Sequence, residues 1–85
     1  MTDDDFTDFY RRTVDGLYRY ASRLTGNDRA ATDELVQDTY LQLVRRVRTG
    51  PIDVDFGWLA VTCRHRHIDR LRADQRRRVR ELRAL

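Results

Sequence analysis

The chain has 85 residues, 40% of them hydrophobic and 36% charged, with one cysteine and a formal net charge of +3. That length holds one domain with a thin core, and no apolar run approaches the ~20 residues that span a bilayer. The opening Thr2-Asp3-Asp4-Asp5 is acidic where an export signal is basic, and a lone Cys63 closes no internal disulfide, so the expected compartment is the cytoplasm.

In the first segment Phe6, Phe9, Tyr10, Val14, Leu17, Ala21 and Leu24 recur every three or four residues, the stripe of an amphipathic helix. Gly26 follows where a left-handed cap would sit. Asn27 or Asp28 is placed to cap the next helix. Its stripe is Leu35, Val36, Tyr40, Leu43, Val44 and Val47, and it stops at Gly50-Pro51 because proline cannot continue the hydrogen-bond ladder. Asp55 then offers an N-cap for a third helix, with Phe56, Leu59, Ala60, Cys63, Ile68 and Leu71 on its buried side. After Asp74 the apolar pattern fades into Gln75-Arg76-Arg77-Arg78, and the helix is expected to fray towards Leu85. Nothing alternates with the period of a strand. The expected fold is all-α, a compact antiparallel three-helix bundle with helices near residues 5–25, 28–48 and 55–76 and with Trp58 and Leu17 largely buried.

All 17 basic residues are Arg. Residues 1–55 carry 8 Arg against 11 acids, whereas residues 56–85 carry 9 Arg against 3 acids. An acidic front and a basic back imply two kinds of partner, one of them a polyanion. On the middle helix Glu34, Gln37, Asp38, Leu41 and Arg45 share a face. That is either a solvated surface or a docking surface for a basic partner helix.

The run Thr32-Asp33-Glu34-Leu35-Val36-Gln37-Asp38-Thr39-Tyr40-Leu41-Gln42-Leu43-Val44-Arg45 resembles the second conserved region of extracytoplasmic-function (ECF) sigma factors, members of the sigma-70 family. So does Trp58-Leu59-Ala60-Val61-Thr62-Cys63-Arg64-His65-Arg66-His67-Ile68-Asp69-Arg70-Leu71-Arg72. The opening helix, with Phe6-Thr7-Asp8-Phe9-Tyr10, Leu17-Tyr18-Arg19-Tyr20-Ala21 and Leu24-Thr25-Gly26, is similar as well, so three motifs stand in order over nearly the whole chain. Thr32-Asp33 replaces the usual Ala-Glu, Glu34 the usual Asp, and His65 the usual Asn.

The resemblance implies a transcription initiation factor domain in residues 1–75, with residues 76–85 a basic tail beginning a linker. It implies that Glu34, Gln37, Asp38, Leu41 and Arg45 dock on the clamp helices of the largest catalytic subunit of core RNA polymerase. It also implies that the loop and third helix engage the promoter −10 element and hold its single-stranded non-template strand. The candidates there are Gly50, Ile52, Asp53, Arg64, His65, Arg72, Arg76 and Arg77, with Arg66 and Arg70 as further sources of phosphate contacts. An anti-sigma factor is an expected regulator. No enzymatic activity and no cofactor are expected: there is no Gly-rich phosphate loop and no nucleophile with an evident base. Cys63, His65 and His67 are the only metal-like grouping, and they lack a second ligand pair. A helix-turn-helix regulator or a purely protein-binding helical module is the alternative, although the loop around Pro51 is long for a helix-turn-helix.

Overall fold

The computed structural model describes all 85 residues as three helices and no strand, α1 (Asp3–Leu24), α2 (Arg29–Arg48) and α3 (Phe56–Arg83). Each start is capped by a side-chain oxygen. Thr2 and Asp5 form a reciprocal capping box on α1, Asp28 accepts from the Ala31 amide, and Asp55 accepts from the Trp58 amide at 2.9 Å. Each cap satisfies an amide that the helix itself cannot bond. Between α1 and α2 both Gly26 (φ 64°) and Asn27 (φ 65°) are left-handed, which reverses the chain within a few residues. No helix is long and apolar enough to cross a membrane.

The core is a single cluster of Phe9, Leu17, Ala21, Leu35, Val36, Tyr40, Leu43, Leu59 and Cys63. Burying each large aliphatic member contributes roughly 1.5–3 kcal/mol. Thr13 meets Tyr40 through their hydroxyls at 2.7 Å, and Thr25 meets Thr32 at 2.7 Å, so α1 and α2 run antiparallel. Asp38 meets Arg66 and Glu34 meets Arg70, so α3 runs antiparallel to α2 and parallel to α1. Three threonines that periodicity passed over, Thr13, Thr32 and Thr39, are buried in this core. Each hydroxyl donates to the carbonyl four residues back, of Phe9, Asp28 and Leu35 respectively, so burial leaves no polar atom unsatisfied. Thr32 and Thr39 fall in step with Leu35, Val36 and Leu43, and that position on the apolar face was the available signal.

The third helix departs from expectation in two ways. It continues to Arg83 rather than ending near residue 76. From Gln75 onward every residue is exposed, because α3 outruns the α1–α2 turn, which it passes at His67, Arg70, Leu71 and Asp74. Its buried side is also narrower than the apolar pattern implied, with only Leu59 and Cys63 fully inside. Phe56 is 41% exposed because only one edge of its ring rests on α1, where a Cβ at Gly16 would stand 3.2 Å from Phe56 Cε2. Leu71 is 55% exposed where the bundle ends. Trp58 packs against the core but is only partly buried, whereas Leu17 is fully enclosed.

Candidate nucleic-acid and partner interfaces

The expected polar face of α2 divides between two neighbours. Gln37 and Leu41 border an apolar groove of about 420 Å³ between α1 and α2, walled by Phe6, Tyr10, Val14 and Tyr40. The Tyr10 and Tyr40 rings lie 4.8 Å apart, and Phe6 meets Tyr40 edge-on at 6.3 Å. Leu41 is 47% exposed on the rim of this groove. Arg45, one turn further, is exposed. Glu34 and Asp38 turn instead towards α3.

Asp38 is already engaged inside the fold. Its side chain is only 16% exposed, Arg66 Nε donates to Oδ2 at 2.8 Å, Arg70 Nη2 lies 3.5 Å away, and Gln42 donates to Oδ1 at 3.3 Å. Burial pushes the carboxyl up, but the hydrogen bonds from Arg66 and Gln42 and the two guanidinium charges outweigh it. The group is held below the usual carboxylate range. Arg70 also donates to the Glu34 carbonyl at 3.2 Å and approaches the Glu34 carboxylate at 3.7 Å. Spacing alone put Asp38 on a free face, and its partners, twenty-eight and thirty-two positions away, were invisible to local periodicity.

The same pairs sort the arginines of α3. Arg66 and Arg70 are tied to α2, and Arg77 is paired with Asp74 at 3.1 Å. Arg64, Arg72 and Arg76 form no ion pair and are exposed, as is His65. Val61, His65, Ile68, Arg72, Arg76, Val79 and Arg83 recur every three or four residues, so they form one stripe about 33 Å long, away from α2. Near its start, Tyr20 of α1 joins Ala60, Val61, Arg64, His65 and Ile68 around a groove of about 360 Å³. Near its end, Arg72, Arg76, Arg80 and Arg83 border one surface hollow.

The connecting loop is placed otherwise. Gly50 has φ 142°, a conformation that suits glycine. Ile52 and Asp53 pack beside the start of α1, in a groove bordered by Asp5, Asp8 and Arg12. Asp5 and Asp8 of α1 therefore face the loop's own Asp53, and these three carboxylates against the one Arg12 leave a negative balance that opposes phosphate. Cys63 is fully buried, and burial pushes its thiol up. His65 borders the Tyr20 groove while His67 borders another with Glu34 and Arg70, so the three metal-like residues are not brought together.

Residues 9–77 match the family described as Sigma-70 region 2. No curated protein and no solved structure gives a match to the chain. The matched span runs from Phe9, the first core residue of α1, to Arg77 of α3, and so takes in every residue of the core cluster. The chain belongs to the sigma-70 region 2 family, whose domains in general bind RNA polymerase and recognise the promoter −10 element.

Proposed function

We propose that this domain is of the ECF type and acts through two separate surfaces, α2 with the α1–α2 groove towards core RNA polymerase and the outer stripe of α3 towards the single-stranded non-template strand. The observation supporting this reading is the sorting of charges: arginines facing α2 are consumed by Asp38 and Glu34, while those facing outward carry no partner. On the polymerase side Gln37, Leu41, Glu34 and Arg45 offer an apolar contact ringed by polar groups, suited to the clamp helices of the largest catalytic subunit. Asp38 contributes there mainly by holding Arg66 and Arg70. On the DNA side Arg64, Arg72 and Arg76 neutralise phosphates, His65 reaches a base edge, and Arg77 joins by exchanging Asp74 for phosphate. Gly50, Ile52 and Asp53 reach the strand only through backbone or base contacts, given the carboxylates around them. An anti-sigma factor would act by covering either surface.

The test is a pull-down of core RNA polymerase by the chain and by its Gln37→Ala/Leu41→Ala variant. Strong capture by the parent and at least a ~10-fold weaker affinity in the variant are expected, since truncating a central interface residue costs upwards of ~1–2 kcal/mol. Absence of capture by the parent removes the polymerase reading.

A further inference from the structure

The projecting end of α3 carries a stripe that the bundle never covers. Leu71 and Leu82 are 55% and 68% exposed, and Leu71 stands at the last groove of the bundle, beside Leu24 and Leu35. Gln75 and Arg78, both exposed, fall between the two leucines at spacings of four, three and four, so all four side chains share one face of the helix. At about 100° per residue that face is turned roughly 120° from Arg72, Arg76 and Arg83, the arc proposed to meet phosphate. A nucleic-acid strand lying along those arginines therefore leaves the leucines uncovered. The stripe also has the same order from either end, leucine, polar, polar, leucine, with Leu71 and Leu82 about 16 Å apart.

We propose that this stripe is a self-association surface, on which the projecting end of α3 packs antiparallel against the same segment of a second copy of the chain. Setting Leu71 against Leu82 of the other copy sets Gln75 against Arg78, and two-fold symmetry repeats both contacts. Arg78 takes part in none of the ion pairs of the fold, and in this pairing it donates to the Gln75 side-chain carbonyl. It also comes beside Asp74 of the other copy, whose Oδ1 accepts from Arg77 at 3.1 Å and whose Oδ2 stays open to a second guanidinium. Arg78 thus sits between its own Glu81, three positions on, and that Asp74, and offsets the repulsion between the two carboxylates. A parallel pair would instead set Arg78 against Arg78 and crowd both bundles at one end. The antiparallel pair separates the charges and carries the bundles to opposite ends, with each tip reaching the Leu71 groove of the other copy. Two leucine contacts around a polar centre make a small interface, in the class of transient pairs.

The experiment is sedimentation equilibrium of the chain, freed of nucleic acid, from about 10 μM to 1 mM, the range in which so small an interface dissociates. The parent should pass from monomer to dimer within it. Leu82→Gln, which keeps a good helix former at an exposed position, should retain the parent's helicity and lose at least ~10-fold in self-affinity. Orientation is read by mild oxidation of Leu71→Cys and Leu82→Cys chains. Mixed, they should form a disulfide between unlike chains, because the pairing brings those two positions together. Alone, each should link no more than the parent, whose one thiol, Cys63, is buried. A parent that stays monomeric at about 1 mM overturns the proposal, and so does a Leu82→Gln chain that dimerises as the parent does. Single variants that link to themselves as readily as the mixture overturn the antiparallel pairing. Neither polymerase nor DNA enters the assay, so its failure is distinct from failure of the proposed function.

Discussion

Asp38 shows how one residue can serve a surface indirectly. Its carboxylate lies between two arginines, and those arginines are 38% and 36% exposed. Solvent screening therefore reduces the pair from the ~3–5 kcal/mol lost when a buried pair is broken to about 1–2 kcal/mol. Asp38→Asn should lower the melting temperature at neutral pH by roughly 4–8 °C for each kcal/mol lost in a domain of this size. The folded carboxyl titrates below its unfolded value of about 3.9. Its contribution is thus present above that value and disappears as pH falls through the folded one. Melting curves across pH should show the gap between parent and Asp38→Asn narrowing as pH falls below about 3.9. A gap that stays constant with pH would mean that the charge on Asp38 adds nothing to the fold. The sequence could place Asp38 on α2 but not across from Arg66, since helix periodicity describes neighbours on one helix and says nothing of register between two.

At the scale of the element, α1 and α2 were legible because their signals are local. Caps at Asp28 and the Gly26 turn mark where backbone bonds must be met by other means, and apolar residues at helical spacing mark the buried side. The length of α3 was not legible by that route, since its last turns have no buried side to leave a pattern. What keeps them helical is intrinsic preference. Residues 72–85 are mostly Arg, Ala, Gln, Glu and Leu, good helix formers, with no Gly or Pro. The Asp74–Arg77 pair and the cations of the last turn, Arg80 and Arg83, add favourable charge placement. Because this extension is wholly exposed, deleting residues 76–85 should change stability by no more than ~0.5 kcal/mol. It removes Arg76 and Arg83 from the stripe, Arg80 from the hollow beside it, and Arg77. If each of these four meets one phosphate of a single strand, the log–log salt dependence of binding should become shallower by about 3, at ~0.7 per phosphate. An unchanged slope in a salt titration would confine the nucleic-acid contact to the bundle itself.

Over the whole molecule, the two grooves lie on opposite flanks of α1. Tyr18 borders the α1–α2 groove and Tyr20 borders the α1–α3 groove. Two positions on a helix are about 200° apart, so these tyrosines face opposite ways while Leu17 and Ala21 between them fill the core. The excess of acids in residues 1–55 and of Arg in residues 56–85 follows the same division, since α3 carries most of the cationic surface. Surfaces placed this way can be occupied together, and changes well separated on a rigid bundle add nearly independently. Gln37→Ala/Leu41→Ala should therefore weaken capture of core polymerase while leaving single-strand affinity within about twofold, well under the 1.4 kcal/mol of a tenfold change. Arg72→Ala/Arg76→Ala should do the reverse, and should weaken strands of every sequence alike because phosphate contacts carry no base information. Both variants alter exposed side chains, so circular dichroism should show unchanged helicity. Equal loss of both activities in either variant would show that the bundle couples the two surfaces, and the division of labour across α1 would have to be abandoned.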